Sequence, residues 1–591
     1  MNSNIIIVIA VICFVIISLY KEIVRPVATF IIAIIALSLF NIIKSSDVLA
    51  GFANEQLAVI FLLLILSDVI KKTGILNTYI RKIFNPAISY QGFIARLSLL
   101  AGSHSVWINN TPLVAIMIPQ VIDWAKKKGI SPSKVLIPLS YATILGGTAT
   151  LIGTSTNLVV NGLAVNAGLQ PLKMFDFTYV GIPLILLGYL YMALIGHKLL
   201  PERKDPLALF QEKSREYLVE TIVESNSSLI GQTIDAANLR NLRGLFLVEI
   251  TRGNQKIVPV SPDEIIQAND HLIFAGATET IIDLIKDPKG LSLPNQTSFK
   301  GQGKVEIVEV VVSAQSSLNG TIVKETSFRG NYDAAIVAIN RNGERLSGKI
   351  GELELASGDL LLLATGNDFK NRSAVSQDFY VISNLEAIQT LSPLKTWIIL
   401  LGTVATFILA ALEILPLFIG LMILITTIVG MKAARFGEIK RSMDIDLFAI
   451  LALSLAVGKA ISNSGADKYF ASQIISLIEP LHSTVALLIG IYAITNILAM
   501  VVTNKAAVAI TFPIALSMTT SLGIDPKPFI LAIAFAGCGE FITPFGYQTN
   551  LMVYGPGGYK FTDYVKIGFP LTLLYMTVSI LVLSYTYNLF K

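Results

Sequence analysis

The residues best placed to do chemistry fall in two stretches, Gly146-Gly147-Thr148-Ala149-Thr150-Leu151-Ile152-Gly153-Thr154-Ser155-Thr156-Asn157 and Thr543-Pro544-Phe545-Gly546-Tyr547-Gln548-Thr549-Asn550. Each is a Gly/Thr/Asn-rich break inside a long apolar run. Each has an Asn-centred companion about 46 residues upstream, Asn109-Asn110-Thr111-Pro112 and Thr503-Asn504-Lys505-Ala506. Non-helical backbone at membrane depth is tolerated where it is buried in protein or lines a cavity, so these breaks read as the walls of a binding site. Carbonyls freed at such a break, with Asn and Thr oxygens, can coordinate a hard cation such as sodium, while half-helix N-termini favour an anion. One geometry serves both signs of charge.

Two ionisable residues stand among them. Lys505 holds the position that Thr111 holds in the first stretch, and Glu540 stands opposite Gly147. Ionisable residues inside a span are functional by default. Burial of either alone would drive it neutral, whereas pairing would keep both charged. Lys505 and Glu540 are therefore expected to interact and to serve coupling, the ammonium in place of a sodium ion or against a substrate anion, the carboxylate as counter-charge or proton carrier. Asp68 reads as a helix-end cap toward Lys71 and Lys72, and His104 as a hydrogen-bonded hairpin histidine. No His/Cys metal spacing, Ser-His-Asp arrangement or P-loop lysine occurs, so an enzyme is disfavoured.

The elements that must hold these residues repeat. Asn110 to Asn504 and Pro119 to Pro513 are each 394 positions, Asn157 to Asn550 is 393, and Gly74 to Gly465 is 391. Interrupted apolar segments at corresponding places in two halves point to a transporter site at the repeat interface. Of 591 residues 53% are hydrophobic and 14% charged, the composition of a membrane protein. A net charge of +5 needs no nucleic acid. Cys13 and Cys538 lie in apolar runs and suggest no disulfide.

Apolar runs near 5–20, 26–43 and 50–70, a basic interfacial stretch 74–88, a hairpin 91–125, and crossings 135–163 and 178–197 make the first half. The second reads 394–411, 414–431, 446–461, 465–480, a hairpin 483–523, then 528–553 and 567–589. The expectation is ten spanning helices and two re-entrant hairpins. Lys126–Lys128, Lys134, Arg203, Lys204, Lys432, Arg435, Lys440, Arg441 and Lys560 then share one face, which the positive-inside rule makes cytoplasmic. The hairpins open to opposite sides, so the repeats are inverted and both chain ends lie outside.

Residues 206–385 change character, with short β-branched runs, Gly/Asn/Asp turns and more charge, the marks of small soluble α/β modules. Ser227/Ser316, Gly231/Gly320, Arg240/Arg329, Arg252/Arg341 and Asp270/Asp359 are each 89 apart, so one module occurs twice in tandem. Arg252 and Arg341 follow strand-like runs, where each could meet an anion or stand as a solvated turn arginine. No G-x-G-x-x-G opens a helix here.

The two Asn-centred tips, the Gly-Thr breaks and the run Gly546-Tyr-Gln-Thr-Asn to Tyr554-Gly-Pro-Gly-Gly-Tyr559 resemble the divalent anion/sodium symporter (DASS) family. The twin modules resemble the TrkA-C subdomain of potassium-conductance regulators. The resemblance implies domains 1–205 and 386–591 as membrane repeats, and 206–298 and 299–385 as TrkA-C-like domains. It implies one sodium clamp joining Ser105 and Asn110 to Gly147, Thr150 and Gly153, and a second joining Thr503 and Asn504 to Ile542, Thr543 and Pro544. The substrate anion would lie between Asn109, Asn110, Thr111, Thr154, Ser155, Asn504, Lys505, Gln548 and Thr549. It further implies coupling to sodium or protons, a homodimer in the inner membrane, and cytosolic modules that sense a small, nucleotide-like regulatory ligand. Sulfate or a related oxyanion is the favoured substrate, a C4-dicarboxylate or acidic amino acid the alternative. A ligand-gated channel would need a continuous carbonyl filter, and none is found.

Overall fold

In the computed structural model, described residues are 3–20, 23–24, 26–73, 89–203, 218–239, 245–276, 291–292, 307–346, 350–382, 391–434, 439, 445–478 and 483–590, except 254, 314–315, 342–343, 367, 374–375 and 377. The segment 74–88, Arg240, Lys204, Arg435, Lys440, Arg441 and all three expected domain boundaries lie outside them.

The first half contains α1 (Ser3–Tyr20), α2 (Pro26–Leu39), α3 (Ser45–Phe52), α4 (Glu55–Lys72), α5 (Tyr90–Ser105), α6 (Asn110–Lys127), α7 (Leu136–Gly147), α8 (Ser155–Asn166) and α9 (Thr178–Tyr191), which a π-turn extends toward Leu199. The second contains α10 (Pro393–Ala411), α11 (Leu417–Gly430), α12 (Ile445–Ser464), α13 (Ala466–Ile478), α14 (Thr484–Val501), α15 (Asn504–Leu522), α16 (Lys527–Cys538), α17 (Gln548–Tyr554) and α18 (Phe561–Thr586). The order recurs: α5 and α14 start 394 positions apart, α6 and α15 also 394, α7 and α16 391, α8 and α17 393.

The interruptions fall where the sequence places them. Asn109 caps α6, its Oδ1 accepting from the Thr111 N–H, and Thr503 caps α15 through the Ala506 N–H, so each hairpin tip is a helix start fixed by its own side chain. α7–α8 and α16–α17 are each two half-helices around a Gly/Thr loop. Among the described residues six helices are long and apolar enough to cross a membrane, or seven if Phe448–Ser464 and Ala466–Ser476, bent by 74°, count as one span. That bend sits at Gly465, whose φ of +77° suits glycine. The expected ten spans are thus fewer by length among the described residues, because α1, α2 and α11 are short apolar helices and 135–163 and 528–553 are broken, while two of the six long helices, α14 and α15, are the arms of the expected hairpin 483–523.

Burial sorts the helices into an inner and an outer set. All twelve residues of α7 are buried, and in α16 so is everything after Lys527, as expected for helices apolar on every side. α9 instead exposes Tyr179, Ile182, Leu186, Leu190 and Leu194, and α10 exposes Leu394, Trp397, Leu401, Val404, Ile408 and Leu412. Those are one-face stripes at helical spacing, the surface that hydrocarbon covers.

The middle of the chain forms two five-stranded antiparallel sheets, from β1 (Leu218–Val223), β2 (Leu245–Arg252), β3 (Gln255–Ile257), β4 (His271–Gly276) and β5 (Leu291–Ser292), then β6 (Ile307–Val312), β7 (Ala334–Arg341), β8 (Glu344–Arg345), β9 (Leu360–Thr365) and β10 (Phe379–Val381). Their orders are β3-β2-β4-β1-β5 and β8-β7-β9-β6-β10. The tandem repeat extends to irregularities: register shifts at Leu247/Glu249 and Ile336/Ala338, and isolated bridges at Thr233–Ile265 and Ile322–Glu354, are all 89 positions apart. One end of the membrane body carries the approach to these domains. Arg203 makes two bonds to Asp563 Oδ2, at 3.1 and 2.8 Å, Lys134 Nζ donates to the Leu200 carbonyl, and Tyr559 donates to the Ser133 carbonyl.

Candidate functional site

The two breaks share one local design. Thr150 Oγ1 donates to the Val106 carbonyl at 2.6 Å and accepts from the Gly153 N–H at 3.2 Å, while Asn157 Nδ2 donates to the Thr150 carbonyl at 2.9 Å. In the other half, Thr543 Oγ1 accepts from the Gly546 N–H at 3.2 Å and Asn550 Nδ2 donates to the Thr543 carbonyl at 3.3 Å. A Thr-x-x-Gly turn pinned by an Asn seven residues after the Thr satisfies the loop's polar groups internally.

The first tip meets the first break closely. With the Asn110 amide turned to satisfy both ends, Nδ2 donates to Ser105 Oγ and to the Thr143 and Gly153 carbonyls, the last two at 3.2 Å, while Oδ1 accepts from the Tyr547 hydroxyl at 2.9 Å. Three oxygens, from Ser105, Thr143 and Gly153, therefore converge on one neutral amide NH2, which has two hydrogens to share among them. Space is tight: a Cβ at Gly147 would stand 2.5 Å from the Asn110 amide, and one at Gly153 2.4 Å from the Gly147 carbonyl oxygen. Neutral oxygens converging on a point suit a hard cation. No group of three His, Cys, Asp or Glu side chains among the described residues could hold a metal.

The halves join at this tip. Tyr547 bridges Asn110 to Thr154 Oγ1 at 3.0 Å, Thr111 Oγ1 donates to Gln548 Oε1 at 3.1 Å, and Ser140 Oγ bonds Thr549 and Asn550 at 2.9 and 2.7 Å. Asn109 and Ser155 line a small cleft with Trp107, Ile60, Leu63 and Phe407. Of the residues expected around a substrate, Asn109, Asn110, Thr111, Thr154, Ser155, Gln548 and Thr549 are thus in or beside one region.

The second tip differs. Thr503 is exposed and committed to capping α15, and no hydrogen bond among the described residues joins it to Ile542, Thr543 or Pro544. Asn504 is buried, and its Oδ1 has no partner among the described residues. The counterparts of Ser105, Thr143 and Gly147 are Ala499, Ala536 and Glu540, and Asn496 Nδ2 takes the Ala536 and Gly539 carbonyls at 2.9 and 3.2 Å. Glu540 is fully buried; Oε1 accepts from the Thr543 N–H at 2.7 Å, and Oε2 lies against Gly546 with no hydrogen-bond partner among the described residues. No ion pair between Lys505 and Glu540 is seen among the described residues, and the Glu540 carboxylate instead meets the Thr543 N–H of its own loop.

Arg252 and Arg341 are corrected too. Arg252 grips Asp270 through Nε and Nη2, both at 2.9 Å, and also meets Glu264; Arg341 grips Asp359 through Nε and Nη2, both at 2.7 Å. Both aspartates are fully buried, so each arginine is an internal clamp rather than a solvated turn residue or an open anion ligand. The Asp270 hydrogen bonds raise the Arg252 pKa above its ordinary value against the cost of burial.

Tyr547 and Ser140 were not singled out from sequence. Tyr547 was detectable as the counterpart of Thr154, 393 positions on, in a motif otherwise read for its amide and hydroxyl groups.

The citrate transporter family model (CitMHS) matches residues 8–412 and 407–590. The chain is similar to an uncharacterized transporter of Synechocystis sp., 32% identical over 98% of this chain and 96% of that one. It is similar to a putative sulfur deprivation response regulator of Chlamydomonas reinhardtii, 30% identical over 93% and 96%. It also resembles sodium/sulfate cotransporter 2 of that alga, 24% identical over 95% and 87%.

Proposed function

Because the chain belongs to the citrate transporter (CitMHS) family, we propose that this multi-pass membrane transporter is a secondary active symporter of a small divalent anion, sulfate or a related oxyanion. The observation that carries the reading is the cross-repeat junction, Asn110–Tyr547–Thr154 with Thr111–Gln548, which puts the tip of one half on the break of the other. A site of that kind sits where two repeats part and close in alternating access. The name of the algal sodium/sulfate cotransporter favours sulfate and sodium, and that of the other algal relative speaks of sulfur deprivation. A tetrahedral oxyanion suits the start of α8, where Thr154 and Ser155 hydroxyls stand beside helix N–H groups.

Sodium is assigned to the first clamp, where Ser105 Oγ and the Thr143 and Gly153 carbonyls converge and Asn110 can turn its amide oxygen inward. The second clamp lacks the equivalent serine and carries Glu540, so sodium there is replaced by, or shared with, a fixed carboxylate. Burial of Glu540 favours the alternative of proton coupling, and Lys505, half-buried at the second tip, favours a dicarboxylate or acidic amino acid. The twin domains are read as cytosolic TrkA-C-like regulators, with both chain termini outside, in an inverted-repeat permease that pairs as a homodimer in the inner membrane. The basic end that holds Lys134, Arg203 and Lys560 supports that sidedness.

The test is uptake of labelled sulfate into proteoliposomes under an imposed sodium or proton gradient, with succinate and aspartate as competitors. Sodium-driven sulfate uptake is expected. Carboxylate uptake indifferent to sulfate, or a proton gradient alone sufficing, would overturn the substrate or the coupling ion respectively.

A further inference from the structure

Gln548 stands at the start of α17 and both ends of its amide are engaged. Oε1 accepts from Thr111 of the first hairpin, and Nε2 donates to the Tyr380 hydroxyl at 2.5 Å. Tyr380 belongs to β10, an outermost strand of the second soluble domain.

The other end of α17 is held by the same domain. The Leu551 side chain lies against Gly358, whose φ is +84°. A Cβ at Gly555 would stand 2.9 Å from the Gly358 carbonyl oxygen and 3.1 Å from Leu360 Cβ. Val311, Leu360 and Ile382 belong to the same buried apolar cluster as Tyr547 and Tyr554. Asp378 fixes the mount of Tyr380, accepting from the Ser317 N–H and hydroxyl, both at 2.7 Å, and from the Tyr332 hydroxyl at 2.6 Å.

We propose that the second soluble domain is the inner gate of the transporter, and that Tyr380 is the positioning residue that closes it by holding Gln548 onto Thr111. This rests on the transporter reading. A site between two repeats opens to each side in turn, and opening toward the domains requires the Thr111–Gln548 contact to part. With the domain held in place, α17 leaves Thr111 only by breaking the Tyr380 bond as well, two hydrogen bonds instead of one. Release of substrate on that side follows undocking of β10 from α17, and whatever shifts the docking equilibrium regulates transport.

The experiment uses the full-length chain in a Cys13→Ser/Cys538→Ala background with Ser155→Cys as reporter, which leaves the Thr111–Gln548 contact in place. A membrane-impermeant maleimide is applied to the domain side of sealed vesicles. Tyr380→Ala is expected to raise the labelling rate by about fivefold or more. Tyr380→Phe, which keeps the ring and loses the hydroxyl, is expected to raise it by a smaller factor, and it carries the test if the alanine variant fails to fold. A labelling rate in Tyr380→Phe equal to that of the parent chain would overturn the gate, whatever the substrate. In parallel, without the reporter, sulfate counterflow should quicken in Tyr380→Phe with little change in KM. Faster labelling without sulfate movement in any variant would sink the sulfate assignment and leave the gate standing.

Discussion

At Gly147 and Glu540 the two halves part company at a single side chain. Gly147 leaves room for the Asn110 amide, and its counterpart fills the equivalent loop with a carboxylate that bonds to the Thr543 N–H. Because that carboxylate is turned toward its own loop, the double variant Lys505→Glu/Glu540→Lys should recover nothing that either single variant loses, as read by uptake. Gly153→Ala should close the first clamp, since its methyl would stand 2.4 Å from the Gly147 carbonyl oxygen. Overpacking of that kind costs about 1–3 kcal/mol, and sodium-dependent uptake should fall about tenfold or more. The Asn, Gly and Thr residues of this tip and break were conspicuous in the sequence because of their types within apolar runs. The orientation of Glu540 was not, since sequence gives its place in the repeat but not the side of the loop it faces. In the second domain, burial tends to raise the Asp378 carboxyl, and hydrogen bonds from Tyr332 and Ser317 outweigh it and hold it below the usual carboxylate range. A carboxyl lowered in this way adds stability present above its unfolded value and lost as pH falls through the folded one. Hydrogen-exchange protection at β10, after the intrinsic pH dependence of amide exchange is divided out, should therefore fall as pH drops below the ordinary carboxylate range, and Asp378→Asn should flatten that dependence.

Among the elements, broken helices were the most readable feature and their spanning status the least. Caps at Asn109 and Thr503 and the Gly-rich loops announce where helices start and stop. Whether 12 residues such as α7 cross or half-cross depends on which partner they meet, and periodicity is silent where every side is buried. The arginines of the twin sheets show the same limit. A strand-then-turn position gave Arg252 and Arg341 a choice of two roles, and only the fold brings Asp270 and Asp359 beneath them. The segment that leaves α9 for the domains is tied to the start of α18 by Arg203 and Asp563, the carboxylate 8% exposed. Losing one partner of a pair between surface and buried regimes costs about 1–3 kcal/mol. Asp563→Asn should lower the melting temperature in detergent accordingly, with Arg203→Lys lowering it less.

For the whole molecule, the repeat offset exposed the two-half plan, and the 89-residue period exposed the twin domains. Their docking was not legible, because the contact joins Tyr380 to Gln548, 168 positions apart, through types that carry no motif. The proposed sidedness can be read directly by labelling. Lys127→Cys and Lys370→Cys should react with an impermeant maleimide from the same side of sealed vesicles, and Lys173→Cys, near the opposite end of α9, from the other. The grip on α17 has a kinematic consequence. Seven helical residues make a rod about 10 Å long, and the second domain touches it at Gln548 and again at Leu551 and Gly555. A rod pinned near both ends can neither tilt nor slide on its own. Each stroke of the second break therefore begins with that domain letting go.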